Sequence, residues 1–286
     1  MISIFQAIIL GLVQGFTELF PISSLGHSVI IPSLLGWNIQ QNASYFLTFL
    51  VATHLATALA LLVFFWRDWV LIVKGIVRSI ASRGIQKDDT YAKLGWLLII
   101  ATIPAGILGL VFQKKISDLF ASAQLAAAFL IVNGLILFTA EWLRTSTNRR
   151  RTRQQTDESI AKLHWWQGAG IGVAQACALI PGISRSGASM AASMFAGLNN
   201  EAAARFSFLL ATPVIGAAAL LKLPDLATHS EAPLRGAFIV GAVCAGVAAY
   251  LSTRFLIRYF QTKTLTPFAI YCVVAGSIYS AILMVR

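Results

Sequence analysis

The chain has 286 residues, of which 57% are hydrophobic and only 12% are charged, and its mean hydropathy is +0.75. This composition excludes an ordinary soluble domain and predicts a polytopic membrane protein. The net charge of +11 would suggest nucleic acid as the partner of a soluble protein. Here the basic residues lie mainly between apolar runs, so membrane topology explains them and nucleic acid is not an expected partner.

The first half of the chain, residues 1–143, opens with two short apolar segments within residues 1–36. Neither is long enough to cross a bilayer comfortably, and Pro21 lies in the break between them. We therefore predict a re-entrant helix hairpin that enters and leaves the membrane on one side. Three transmembrane spans are predicted after it, at 45–66, 94–113 and 119–140, with a basic loop at 67–93 between the first two.

Residues 144–163 are the most polar segment and are predicted to be a basic, mobile linker. The apolar pattern then restarts in residues 164–286. A broken hairpin is predicted at 165–197, followed by spans at 202–221, 236–253 and 264–285. Glu201 is interpreted as a first-turn helix residue, and Arg205 is interpreted as a span-end arginine that snorkels to the interface.

The restart is an internal repeat. Gly11-x-x-Gln14 matches Gly172-x-x-Gln175, and a glycine follows each glutamine by twelve residues, at Gly26 and Gly187. The FLVAT segment at 49–53 likewise matches FLLAT at 208–212. Because each half has an odd number of spans, the second half is predicted to be inverted relative to the first. The predicted fold class is an all-α polytopic membrane protein with an inverted-topology repeat, each half a re-entrant hairpin plus three transmembrane helices.

Basic residues predict the orientation. The connections 67–93, 144–162 and 254–263 carry fifteen Lys and Arg residues, against five on the opposite side. Cytoplasmic connections are enriched in Lys and Arg, so the first set is predicted to be cytoplasmic. The first hairpin then enters from outside, the second enters from inside, and their tips meet near the middle of the bilayer.

Ionisable groups at membrane depth mark function by default, and both hairpins carry them. In QGFTELFPISSLGH at 14–27, Gln14 and Glu18 share one helix face and His27 follows the break. In QACALIPGISRSG at 175–187, Arg185 offers a planar fork suited to phosphate oxygens. Each break precedes a new helix, whose N-terminus attracts anions. The pattern therefore favours a phosphate or diphosphate headgroup with a lipid tail, and the expected binding residues are Gln14, Ser23, Gly26, Ser184, Ser186 and Gly187.

Simpler interpretations stay open at this stage. Pro, Ser and Gly within a membrane helix often produce only a kink, although a kink explains Glu18 and Arg185 badly. His54, which is alone in the first span, is interpreted as a buried hydrogen-bonding histidine.

The two hairpin motifs, together with ARFSFLLATP at 204–213, resemble those of the undecaprenyl-diphosphate phosphatase family of the bacitracin-resistance type. The resemblance covers essentially the whole chain. It implies an enzyme of the bacterial inner membrane that removes the terminal phosphate of undecaprenyl diphosphate and so regenerates the carrier lipid for peptidoglycan synthesis. Carried over motif by motif, the catalytic residues are Glu18, Ser24, His27 and Arg185. The active site is expected to open to the periplasmic side.

The resemblance also implies a divalent cation, Mg²⁺ or Ca²⁺, with Glu18 as its candidate ligand. Many family members have Glu at the position of Gln14, and Gln is a weaker metal ligand, so we expect the cation to be weakly held. No organic cofactor is expected. The expected partners are the lipid substrate, the bilayer and, in a homodimer, a second copy of the chain.

The expected chemistry is phosphoryl transfer by positioning and charge neutralisation. Arg185 and the helix N-termini would hold the diphosphate, and Glu18 would orient or deprotonate the attacking group. That group is a water, Ser24 or His27, and His27 is alternatively the acid that protonates the leaving phosphate. The rival hypothesis is a polyprenyl-phosphate flippase or secondary transporter, because inverted repeats with broken helices are common in transporters.

Overall fold

A computed structural model describes residues 2–40, 43–119, 122–144, 152–226 and 235–285. Within these ranges all regular structure is helical. The α-helices are, in chain order, α1 (Ile4–Leu19), α2 (Ser24–Leu34), α3 (Ser44–Phe64), α4 (Trp66–Ala81), α5 (Thr90–Leu119), α6 (Ala123–Trp142), α7 (Arg153–Ala161), α8 (Trp165–Ala176), α9 (Arg185–Phe195), α10 (Asn200–Leu226), α11 (Arg235–Tyr259) and α12 (Thr266–Val285).

Six of the described helices are long and apolar enough to cross a membrane. They are α3, α5, α6, α10, α11 and α12, which coincide with the six predicted spans. Two shorter apolar helices, α1 and α2, precede them. The prediction of an all-α, multi-pass membrane protein is therefore confirmed.

The predicted loops at 67–93 and 144–162 are wrong as loops over part of their length, because each contains a helix. In α4, residues Asp68, Ile72, Gly75 and Ser79 are buried. This spacing places them on one helix face, while the basic residues lie on the other. In α7, Thr152 accepts a hydrogen bond from the backbone of Gln155 and so caps the helix. Residues 145–151, which include the first three arginines of the basic run, lie outside the described residues.

Arg205 does not snorkel. It is only 7% exposed and donates hydrogen bonds to both oxygens of Asp157, at 2.6 and 3.1 Å, and to Asp68. Arg153 donates to the same Asp68. Asp68 comes from α4 and Asp157 from α7, so the two unpredicted helices supply the carboxylates that hold Arg205 inside the protein. A buried charge persists only when it is paired in this way. As predicted, Glu201 lies in the first turn of α10.

Glycines let the short helices approach the spans closely. A Cβ on Gly11 of α1 would lie 2.3 Å from the carbonyl oxygen of Gly241 in α11, and a Cβ on Gly172 of α8 would lie 2.4 Å from that of Ala101 in α5. Both distances are below van der Waals contact, so only glycine fits at either position. The helix pairs α1–α2 and α8–α9 are thereby held inside the bundle, and α6 packs against α12 beside them.

Candidate active site

Two loops meet inside the protein: the first loop, residues 20–23, connects α1 to α2, and the second loop, residues 177–184, connects α8 to α9. The Ser23 hydroxyl donates to the carbonyl of Ile183 at 3.2 Å, and the Ser186 hydroxyl donates to the carbonyl of Phe20 at 3.3 Å. A Cβ added to Gly26 would lie 3.1 Å from the Cα of Gly182. The two sequence motifs, 160 residues apart along the chain at Ser23 and Ile183, therefore form one site.

Each loop ends in a serine that caps the following helix. Ser23 accepts a hydrogen bond from the Gly26 amide at 3.2 Å, and Ser184 accepts one from the Gly187 amide at 3.1 Å. Side-chain capping of this kind fixes where a helix begins. The structure therefore places five of the predicted binding residues, Ser23, Gly26, Ser184, Ser186 and Gly187, at two neighbouring helix N-termini, whose amide groups and dipoles attract anions.

Glu18 is the acceptor on which the site converges. Its Oε1 accepts hydrogen bonds from Arg185 Nε and Nη2, both at 3.2 Å. Its Oε2 accepts from Ser24 Oγ at 2.6 Å and from Gln14 Nε2 at 3.0 Å. The carboxylate is 5% exposed and Gln14 is fully buried. Ionised acceptors form the stronger hydrogen bonds, so this network holds Glu18 as a carboxylate in one orientation.

Arg185 joins the two loops through its charge. Its third nitrogen, Nη1, donates to the carbonyl of Ser207 in α10 at 3.3 Å. The side chain retains 13% exposure, three times that of its partner Glu18 at 4%. All three guanidinium nitrogens thus bond to protein groups, and the residual exposure is the part of the side chain that an anion can reach.

His27 lies in α2 and uses both ring nitrogens within the protein. Nδ1 lies 2.7 Å from the carbonyl of Ser23, and Nε2 lies 2.7 Å from the hydroxyl of Tyr271. A carbonyl only accepts, so Nδ1 carries the hydrogen, and in the neutral ring Nε2 accepts from Tyr271. The Tyr271 ring also stacks on His27 with centroids 5.8 Å apart. Sequence reasoning missed Tyr271, because it lies in an apolar span without a polar motif around it.

His54 is the second residue that the sequence did not assign to the site. Its Nε2 lies 3.5 Å from Glu18 Oε2, and its Nδ1 donates to the carbonyl of Leu50 at 2.7 Å. The hydrogen-bonding part of the interpretation is therefore correct, but the side chain is 20% exposed rather than buried, and the ring also faces the carboxylate. The sequence did carry a signal for His54. This residue directly follows the repeated FLVAT segment and is the one histidine in a span without Asp, Glu, Lys or Arg.

The donor set around Glu18 does not by itself complete the coordination shell of a divalent cation. Ca²⁺ and Mg²⁺ require several oxygen ligands, usually with more than one negative charge. Glu18 is the carboxylate of the site, and a guanidinium already neutralises it. No group of three or more His, Cys, Asp or Glu side chains comes together anywhere in the described part of the chain. Gln14 Oε1 is buried without a hydrogen-bond partner, but a single amide oxygen does not complete a coordination shell. We therefore assign no reaction step to a cation.

Comparison with known proteins places these residues in a family. Residues 7–278 match the family described as bacitracin resistance protein BacA. The chain is 44% identical to the undecaprenyl-diphosphatase of Mycolicibacterium paratuberculosis, over 96% of this chain and 95% of that protein. It is 42% identical to undecaprenyl-diphosphatase 2 of Frankia alni over 96% of both chains, and 45% identical to the undecaprenyl-diphosphatase of Acidiphilium cryptum over 95% of both. The chain belongs to the bacitracin resistance protein BacA family.

Proposed function

We propose that this protein hydrolyses undecaprenyl diphosphate to undecaprenyl phosphate and inorganic phosphate, and thereby recycles the carrier lipid for cell-wall synthesis and confers resistance to bacitracin. The observation that carries the proposal is the ion pair between Glu18 and Arg185, which brings an acid and a cation from two different motifs together at two helix N-termini. A bundle of long apolar helices surrounds this polar site. A diphosphate on a polyprenyl chain has the matching chemistry, with a charged head and an apolar tail.

Substrate binding is assigned to Arg185 and the N-termini of α2 and α9. The terminal phosphate competes with Glu18 for Nε and Nη2 of Arg185, because a phosphate presents the same pair of acceptor oxygens as a carboxylate. The first-turn amides of the two helices then face the remaining phosphate oxygens. As Arg185 transfers to the phosphate, Glu18 loses its neutralising partner and becomes a stronger base.

Glu18 is proposed to accept the proton of the attacking hydroxyl. The hydrogen bond from Ser24 Oγ to Glu18 Oε2, at 2.6 Å, already aims a hydroxyl proton at the carboxylate. The attacking oxygen, from Ser24 or from a water bound beside it, forms a bond to the terminal phosphorus. The bridging oxygen leaves with undecaprenyl phosphate. Where Ser24 attacks, a water then hydrolyses the phosphoserine, which releases inorganic phosphate and restores the Ser24 hydroxyl. Nε2 of His54 faces the same carboxylate oxygen, and when the ring is protonated it can donate to a phosphate oxygen, since Nδ1 already donates to Leu50. His27 is proposed to support α2 rather than to attack, because both its nitrogens are engaged.

The architecture proposed for this function is an inverted repeat with two re-entrant hairpins. The lengths of α1, α2, α8 and α9, at 16, 11, 12 and 11 residues, support it, since a 30 Å hydrocarbon core needs about 20 helical residues. The packing also supports it. The repeat-related glycines Gly11 and Gly172 each contact the middle span of the opposite half, at Gly241 and Ala101.

The orientation is proposed from the basic residues. Connections 67–93 and 144–162 would lie on the cytoplasmic side of the bacterial inner membrane, with the active site open to the periplasmic side. A homodimer is one arrangement to test. Single cysteines at positions 150 and 228, both outside the described residues, test the topology by labelling with a membrane-impermeant reagent. Position 228 should react from outside and position 150 only after permeabilisation. Equal labelling of both from one side would contradict the inverted repeat.

The function is tested by measuring phosphate release from undecaprenyl diphosphate by the purified protein in detergent. The expected result is stoichiometric release of inorganic phosphate that is lost in the Glu18→Gln variant. Transport of the lipid across a vesicle membrane without phosphate release would favour the flippase or transporter hypothesis instead.

A further inference from the structure

A single buried side chain on a span contacts both loops of the site. Asn133 lies in the middle of α6 and is fully buried. Its Nδ2 donates to the carbonyl of Pro21 in the first loop at 2.9 Å, and its Oδ1 accepts from the backbone amide of Ser184 in the second loop at 3.0 Å. Nδ2 also lies 3.3 Å from the sulfur of Cys272 in α12.

The chemistry of these contacts requires a carboxamide. Pro21 offers an acceptor and Ser184 offers a donor, so the bridging group must donate on one side and accept on the other. Among uncharged side chains of this length, the Asn amide does both at once. A buried polar group persists when it is hydrogen-bonded, and here both ends of the amide are.

The position of Asn133 links it to the reacting groups. Pro21 lies three residues from both Glu18 and Ser24, and Ser184 directly precedes Arg185. The loops also contact each other through Ser23 and Ser186, but those side chains belong to the loops themselves. Asn133 belongs to a span of 20 residues that packs against α12. Its hydrogen bonds therefore attach both loops to a rigid helix. A misplacement of about 1 Å in an active site can cost about 10²-fold in rate.

We propose that Asn133 is a positioning residue that sets the register of the two loops and thereby the separation of Glu18 from Arg185. This inference rests on the proposed phosphatase function. Asn133 touches neither Glu18 nor Arg185 through the contacts described above, so it acts through Pro21 and Ser184.

The test compares two near-isosteric variants with a control. Asn133→Leu preserves the volume and removes both hydrogen bonds. Asn133→Asp keeps the acceptor for Ser184 but turns a carboxylate oxygen towards the Pro21 carbonyl, and protonation of that carboxyl restores a donor. Leu94→Ala, at a fully buried position of α5, is the control for packing loss away from the loops. Cys272 is the titratable group in contact with residue 133, with Glu18 and Arg185 as the charges of the adjoining site.

We expect Asn133→Leu to lower kcat about 10-fold to 100-fold per folded molecule, and Leu94→Ala to lower thermal stability with kcat nearly unchanged. The ratio of Asn133→Asp to parent turnover should rise as the pH falls, whereas the ratio for Asn133→Leu should stay flat. A purely structural role would not produce this difference between the two variants.

Amide hydrogen exchange gives a readout that does not depend on activity. Exchange in residues 181–187 should be faster in Asn133→Leu than in the parent and unchanged in Leu94→Ala. Failure of the parent to release phosphate would overturn the proposed function while leaving the exchange result to decide the register. Parent-like exchange in Asn133→Leu, or parent-like turnover despite faster exchange, would overturn the positioning role.

Discussion

The two loops of the site share a backbone plan and differ in the side chains they carry. Ser23 and Ser184 both cap a helix, and Gly26 and Gly187 both supply the capped amide. At the positions between them, the first motif has Ser24 where the second has Arg185. Four residues after each repeated glutamine, the first half has Glu18 and the second has Leu179. The two similar helix N-termini thus both attract anions, and the side chains that differ between the two motifs include one acid, Glu18, and one cation, Arg185.

The two repeated glutamines, Gln14 and Gln175, have different hydrogen-bond partners because the residue four positions later differs. Gln14 donates to Glu18 at 3.0 Å, whereas its repeat counterpart Gln175 donates to the carbonyl of Ala101 at 2.8 Å. Leu179 offers no acceptor, so Gln175 bonds to the span behind it. The first glutamine therefore contacts the candidate active site, and the second packs α8 on α5.

The loops also differ in backbone strain. Ser23 has a φ of 70°, in the left-handed region that a non-glycine residue rarely occupies, whereas Ser184 has an ordinary φ of −85°. In the second loop the left-handed residue is Gly182, with a φ of 101°, which carries no Cβ and so pays no such penalty. The strained residue, Ser23, therefore lies in the loop that follows the acid Glu18, and backbone strain is often found at functional sites.

The largest expected effect comes from removing the acid Glu18. Glu18→Gln keeps the size of the side chain but replaces one acceptor oxygen by an amide donor and removes the negative charge. We expect phosphate release to fall by about 10³-fold, because a general base of this kind contributes about 10²-fold to 10⁴-fold. Steady-state phosphate release checks this, with circular dichroism as the folding control. Substantial activity in Glu18→Gln would place the base elsewhere.

Removing the cation Arg185 should cost somewhat less. Arg185→Ala is expected to lower kcat by about 10²-fold or more, as loss of one group that stabilises transition-state charge does. Arg185→Lys should remain strongly impaired, because a point charge does not reproduce the planar fork that now spans Glu18 and Ser207. Turnover of both variants across substrate concentrations is the measurement. A Lys variant close to the parent would contradict the requirement for a fork.

Substitutions of His54, which lies on α3 and faces Glu18, should have a smaller effect. His54→Leu removes the ring nitrogen Nε2, which lies 3.5 Å from Glu18 and carries an N–H group towards it when the ring is protonated. It should lower kcat/KM about tenfold or more, since a hydrogen bond to a charged group contributes about 1.5 to 3 kcal/mol. His54→Gln retains an N–H donor and should recover most of the loss. Equal loss in both variants would show that the ring itself, rather than a donor, is needed.

The smallest effects should come from substituting the two glutamines, Gln14 and Gln175. Gln14→Glu is expected to retain activity within about threefold, but it places two like charges one helical turn apart, which repel. A cation bound between them relieves the repulsion, so this variant should depend on added Mg²⁺ or Ca²⁺ more than the parent does. Phosphate release with and without a chelator measures the difference.

Gln175→Leu changes a residue of α8, the repeat counterpart of Gln14. It removes the bond to Ala101 and should lower stability by about 1 kcal/mol, with little change in kcat. A melting curve and an activity measurement on the same preparation separate the two effects. A fall in kcat in Gln175→Leu that exceeds its loss of folded protein would contradict the assignment of Gln175 to packing.

The sequence by itself determined the class of protein and the identity of the main groups. Apolar runs of about 20 residues with at most one charge predicted the six long helices, because an apolar stretch of that length is the signature of a span. The repeat and the polar residues at membrane depth singled out Glu18, Ser24 and Arg185, because such groups are costly unless they have a role. These signals are local in the chain, so they survive without any knowledge of the tertiary structure.

The tertiary structure alone decided which groups meet across long separations. Asn133 and Tyr271 lie in spans whose sequence does not mark them, and His54 stood out only as an ionisable residue without a predicted partner. The contacts of Asn133 with Ser184, of Tyr271 with His27 and of His54 with Glu18 depend on how the helices pack. Arg205 became an internal residue for the same reason, since its carboxylates arrive on α4 and α7. Periodicity and composition report the burial of a face, but the pairing of polar groups follows from the relative placement of helices, which no local pattern encodes.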